Sequence, residues 1–259
     1  FSRWFLMLYV ERRPEKLIDE NGLRTDGRRP REMRPIKMEV GVLDRADGSA
    51  LVEWGGNRIL AAIFGPREVH PKHMALPDRA LVRVRYNMAP FSTPERRKPG
   101  PDRRSIELSK VIRNALEQAI FVEKYPGAAI DIFVEVLRSD AGTRVAGITA
   151  ASLALAEAGI AMRGLVAACS IGKIGDVIVV DPGHDEDMWG DADMPIAVMF
   201  EDRVITLLQM DGPMDESQFN EALSLGMSCC ELVYELQKEA LRRPFVFVER
   251  KVVGGGQTV

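Results

Sequence analysis

Cysteine is nearly missing from these 259 residues: Cys169, Cys229 and Cys230 are the only three, and none belongs to a Cys-x-x-Cys pair. That excludes a disulfide scaffold and a thiolate metal site, and it suits a reducing compartment, so the chain reads as cytoplasmic. Histidine is as scarce. His70 and His73 are spaced as ligands can be, but the only carboxylate within four residues of either is Glu68, so they read as loop contacts. No run is long enough to cross a bilayer, and the apolar residues 4–10 lead into Glu11-Arg12-Arg13-Pro14 without a small-residue cleavage site. These residues are assigned no targeting role. Positive charge is not in excess: the formal net charge of -3 argues against wrapping duplex DNA, yet leaves room for RNA held in a locally basic groove. Walker A, dinucleotide, His-Glu-x-x-His and Gly-x-Ser-x-Gly signatures are absent too.

What is present is an ordinary globular composition, 46% hydrophobic and 28% charged, enough for one large domain or two packed halves. Residues 11–35 read as an irregular charged arm, pinned where Asp26 accepts from Arg24 or Arg28. Short β-like runs at 37–43, 49–54 and 58–64, joined by Asp47-Gly48 and Gly55-Gly56-Asn57, predict an antiparallel meander, with Asn57 explained as a turn residue. Residues 81–86 alternate as a strand. Two long basic loops follow from proline breaks, 65–79 and 87–104. A helix is expected from about Ser105 to Lys124, a strand at 129–137, a buried helix, strands at 165–174, 176–180, 194–200 and 203–209, and a long helix over 215–242 that Pro244 stops. The order predicts an α+β fold with mixed sheets and packed helices.

Two stretches carry chemistry. Ser139-Asp-Ala-Gly-Thr-Arg144 opens a nearly all-apolar, alanine-rich helix, which must be buried on most sides. Gly142, Thr143 and Arg144 would gather N–H groups, a hydroxyl and a guanidinium at the positive end of that helix, a site suited to phosphate. The same residues also suit a plain glycine turn capped by Thr143. Residues 181–193 hold six acidic side chains and no Lys or Arg. If Asp187 and Asp193 converge, mutual repulsion leaves one as a general acid, or the pair holds Mg²⁺; a solvated acidic loop is the plainer alternative. An anion pocket, an acid pair and arginine-rich loops point to transfer of a phosphodiester group. That reading requires Arg144 and Asp193 to face one pocket, within roughly 15 Å of each other.

Six segments in order, Arg24-Thr-Asp-Gly-Arg28, Ser49-Ala-Leu-Val-Glu-Trp-Gly55, Gly65-Pro-Arg-Glu68, Pro101-Asp-Arg-Arg-Ser-Ile-Glu107, Ser139-Asp-Ala-Gly-Thr-Arg144 and Gly190-Asp-Ala-Asp-Met-Pro195, resemble the RNase PH superfamily, closest to the catalytic ring subunits of archaeal exosomes. The resemblance runs from about residue 17 to 242. It implies a duplicated β-rich fold, with halves at about 36–125 and 128–242, an N-terminal extension of unknown role over 1–16 and a tail over 243–259. It also implies a phosphate-dependent 3′→5′ exoribonuclease that releases nucleoside 5′-diphosphates from single-stranded RNA, with tail addition as the reverse reaction. Gly142, Thr143 and Arg144 would bind inorganic phosphate, the co-substrate, and Asp187 and Asp193 would be the essential carboxylates, with Mg²⁺ as an alternative to direct acid catalysis. Arg103 and Arg104 would hold RNA near its 3′ end, and Arg67, Lys72 and His73 would guide it through the neck of a ring. The implied partners are a catalytically silent sister subunit in a hexamer and RNA-binding cap subunits. A non-catalytic RNA-guiding ring subunit and a homohexameric tRNA-trimming enzyme are the alternatives.

Overall fold

The computed structural model describes residue 14 and residues 16–253, from 244 onward for the course of the backbone alone. Nearly all of the expected extension over 1–16 therefore lies outside the described residues. Strands β1 (Ile36–Val40), β2 (Gly48–Trp54) and β3 (Asn57–Glu68) form the antiparallel meander that the Asp-Gly and Gly-Gly-Asn turns predict. Strands β4 (Leu81–Met88) and β5 (Ala128–Arg138) complete a mixed sheet in the order β1-β2-β3-β5-β4, with β5 antiparallel to β3 and parallel to β4. A parallel pair needs a crossover, and helix α1 (Arg103–Glu117) supplies it. The division expected near 125–128 therefore does not separate the sheets, because the strand beyond it is a central member of the first.

The second sheet is antiparallel throughout. It comprises β6 (Val166–Ile174), β7 (Val177–Val180), β8 (Ala192–Met199) and β9 (Val204–Leu208) in the order β7-β6-β8-β9. Helix α2 (Thr143–Glu157) lies between the sheets, against β2, β3 and β5 on one side and β6 and β8 on the other. Its small side chains allow that approach: a Cβ on Gly147 would come within 3.2 Å of Val134 Cγ1. Ile148, Leu153 and Leu155 are wholly buried, each stabilising the fold by about 1.5–3 kcal/mol. The N-cap, Gly142, makes no side-chain capping bond, so packing rather than capping fixes this helix; a cap would add only about 1 kcal/mol. Polar groups inside are answered only in part, Thr149 Oγ1 and Gln237 Oε1 having no hydrogen-bond partner among the described residues. Ser152 Oγ accepts from the Val166 N–H at 2.8 Å, and the buried Gln237 Nε2 donates to the Thr149 and Val166 carbonyls at 3.2 and 3.1 Å.

Other expectations shift at element ends. Helix α1 begins two residues earlier than its apolar period, because Asp102 accepts from the Ser105 N–H at 2.7 Å while Ser105 Oγ accepts from the Asp102 N–H at 2.9 Å. It ends at Glu117, and Val122–Lys124 is a separate 3₁₀ turn. The acidic stretch is not all loop: His184–Trp189 is a short helix, α3. Helix α4 (Glu216–Val253) opens on the expected Asp215–Gln218 capping box but continues past Pro244. Proline removes one backbone donor, yet the backbone remains helical on either side of it. All three cysteines are buried and free.

Candidate active site

The N-terminal ends of α1 and α2 open on one cleft of about 700 Å³, lined by Arg103, Arg104, Gly142, Thr143, Arg144, Ser170, Asp187, Asp193, Gln209 and Asp211 among others. The structure thus brings the phosphate-turn residues, both predicted carboxylates and the helix-leading arginines to a single place. It does not bring Arg67, Lys72 and His73 there. Arg67 pairs with Asp47 at 3.0 Å and lies over the Phe64 ring, Lys72 pairs with Glu68 at 2.9 Å, and His73 sits in an exposed 3₁₀ turn.

The turn before α2 is built from inverted backbone. Ala141 and Gly142 have φ of 48° and 68°, a left-handed pair that costs Ala141 strain and needs outside support. That support comes from Asn57 and Arg34. Asn57 Nδ2 donates to the Ala141 and Asp140 carbonyls at 2.5 and 3.2 Å, and its Oδ1 accepts from the Asp140 N–H at 2.7 Å. Arg34 Nη1 donates to the Asp140 carbonyl, and the other side of its guanidinium grips Asp181, with Nε and Nη2 at 2.9 and 2.6 Å. Burial alone would raise the Asp181 carboxyl, but Arg34, with help from Trp54 Nε1 at 3.0 Å, outweighs it and holds Asp181 below the ordinary value. Thr143 Oγ1, buried, accepts from the Tyr86 hydroxyl at 2.9 Å. Tyr86, packed in the core, thus reaches the turn through its hydroxyl.

Across the cleft, Asp193 stands near the start of β8. Its backbone exchanges hydrogen bonds with Asp211, 2.8 and 2.9 Å, and its carboxylate accepts from Ser170 Oγ on β6. Burial pushes its pKa from 3.8 up to about 6; the Asp187 and Asp211 charges add to the rise, while Ser170 and Arg144 oppose it. A carboxyl that holds its proton up to about pH 6 can act as a general acid. Asp187 is exposed on α3. That helix is stapled to the N-terminal arm: Arg24 Nε donates to Glu186 Oε1 at 2.6 Å, Nη2 grips Oε2, and Nη1 and Nη2 reach the Val180 and Asp181 carbonyls. Arg24 therefore does not serve Asp26, which accepts from Arg28 at 2.6 Å. Arg144 Nη1 donates to Gln209 Oε1 at 2.7 Å. Among the described residues no group of three or more His, Cys, Asp or Glu is placed to hold a metal ion.

Sequence reasoning missed Arg34, Asn57, Ser170, Asp181, Gln209 and Asp211. Asn57 looks like a turn residue and is one; its second task depends on a segment 84 residues away. Asp181 and Asp211 belong to acidic surroundings that gave them no mark of their own.

Comparison with known proteins agrees with this geometry. Residues 32–161 match domain 1, and residues 164–229 match domain 2, of the RNase PH family of 3′ exoribonucleases. The exosome complex component Rrp41 of Thermococcus onnurineus is 62% identical over 240 residues, covering 93% of this chain and 96% of that protein. Among solved structures, the Archaeoglobus fulgidus exosome with RNA bound to the active site is 27% identical, with a TM-score of 0.72 over 83% of this chain and 92% of that one. Rice Rrp46 shares the fold at a TM-score of 0.77 and 22% identity, over 85% of this chain and all of that one.

Proposed function

The chain belongs to the RNase PH family of 3′ exoribonucleases, and from that premise we propose that it is the catalytic ring subunit of an RNA-degrading complex that works by phosphorolysis. Inorganic phosphate rests on the amides, hydroxyl and guanidinium of Gly142, Thr143 and Arg144. One of its oxygens attacks the terminal phosphodiester phosphorus of single-stranded RNA. The bond to the preceding 3′-oxygen breaks, Asp193 gives that oxygen its proton, and a nucleoside 5′-diphosphate departs. Under low phosphate the same steps run backward and add a tail. Arg103 and Arg104, exposed in the first turn of α1, hold the backbone near the 3′ end.

The observation that carries this reading is the shared cleft: an anion turn and a carboxyl raised to about 6 face the same space. Two carboxylates beside a phosphate pocket also suit Mg²⁺, which takes one or two carboxylates and fills its remaining positions with water and substrate phosphates. Asp187 and Asp193 would hold it, and it would offset charge at the reacting phosphate. Arg67, Lys72 and His73, remote from the cleft, fit a role along the path by which RNA arrives. A silent sister subunit, closing a hexamer with this one in the cytoplasm, and RNA-binding caps are the partners this function calls for.

The test is to incubate the purified assembly with an RNA oligomer with and without inorganic phosphate. Phosphate-dependent release of diphosphates is the expected result; monophosphates formed without phosphate would overturn the proposal.

A further inference from the structure

We infer that Asn57, backed by Arg34, is a positioning residue for phosphate: it turns two peptide units so that their N–H groups face the cleft. This rests on the phosphorolytic reading above. In a planar trans peptide, C=O and N–H point in opposite directions. The Asp140 carbonyl accepts from Asn57 Nδ2 and from Arg34 Nη1, and the Ala141 carbonyl accepts from Asn57 Nδ2. Both carbonyls therefore point into the body of the protein. The N–H groups of the same two units, those of Ala141 and Gly142, point the other way, and Gly142 lines the cleft. Among the described residues neither N–H donates to an acceptor in the chain. Consecutive amides aimed outward from left-handed backbone make a concave anion seat, but only while the carbonyls are held back.

Asn57 suits this task and no residue of similar size does. It is 1% exposed, and its one carboxamide both accepts from the Asp140 N–H and donates to two carbonyls. An aspartate would keep the first bond and place an oxygen against both carbonyls. Arg34 then ties the same turn to Asp181 at the end of β7, so the seat is referred to the second sheet, which carries the acid.

The experiment uses the complete assembly, with phosphate varied at saturating RNA and RNA varied at saturating phosphate. Asn57→Asp should raise KM for phosphate at least about tenfold, with KM for RNA within about twofold of the parent and kcat at saturating phosphate within about threefold. Arg34→Lys should do the same more mildly. A role confined to stability would lower the active fraction and leave KM for phosphate unchanged, and that result in a folded variant overturns the inference. Hydrogen exchange of the parent assembly supplies a readout that needs no variant. Inorganic phosphate should slow exchange within residues 139–144, and no slowing would likewise overturn the inference. A parent assembly that needs no phosphate sinks the phosphorolytic reading itself; a phosphate-dependent parent whose variants keep the parent KM sinks only the role of Asn57.

Discussion

Burial raises the Asp193 carboxyl to about 6, and that single shift has consequences for stability and for rate. Unfolded, the group releases its proton near 3.8, so between 3.8 and about 6 the folded state holds the extra proton. Above pH 6 folding carries the cost of a buried charge, about 3 kcal/mol for a shift of roughly two units, and below 3.8 that cost is gone. Asp193→Asn should therefore raise stability by about 1–3 kcal/mol at pH 8 and leave it unchanged near pH 4, while abolishing turnover; denaturant unfolding at both pH values decides. As general acid, Asp193 should give kcat/KM a descending limb with an apparent pKa near 6. Because the Asp187 charge contributes to the rise, Asp187→Asn should move that limb to lower pH, and a limb that stays in place would remove Asp193 from the acid role. At this scale the sequence spoke for residues whose neighbours share their motif, such as Arg144 beside Gly142. It was silent on Asn57 and Asp181, whose partners lie far along the chain.

Among the elements, α3 is the least self-sufficient. Six residues make too short a helix to persist alone, and what holds it is the buried pair of Arg24 with Glu186, 3% and 4% exposed. Removing one partner leaves the other charge buried, which costs about 3–5 kcal/mol. Arg24→Ala should show that loss in denaturant unfolding, whereas Arg24→Met combined with Glu186→Leu should recover most of it. If Arg24→Ala unfolds like the parent, the staple is not what holds α3. The acidic run disguised this helix in the sequence: of its charges, Glu186 faces inward and Asp187 outward, a distinction that only the arginine of the distant arm creates. Helix α2, by contrast, was legible outright, because the twelve successive small or apolar residues 145–156 have no solvent-facing stripe. The start of α1 was displaced because a capping box, not the apolar period, decides where a helix begins.

For the molecule as a whole, a net charge of -3 does not oppose RNA, since the first turn of α1 presents Arg103 and Arg104 to the cleft. Each phosphate contact on a single strand contributes about -0.7 to the slope of log affinity against log salt. Arg103→Ala with Arg104→Ala should weaken RNA binding and flatten that slope by about 1–1.4; an unchanged slope would place the RNA backbone elsewhere. The fold class, α+β with mixed sheets, followed from the order of periodic runs. The sharing of strands did not, because β4 and β5 are joined by α1, and no local pattern tells a crossover strand which sheet it will enter.

The burial of α2 between the two sheets has a last consequence, for how the cleft endures heat. A rod clamped along its length by both layers cannot loosen until the layers part, so its amides from Ala146 onward, past the unpaired first turn, should exchange with solvent only through global unfolding. The turn at 139–142 is the tip of that rod, and Asn57 and Arg34 hold it from the other side.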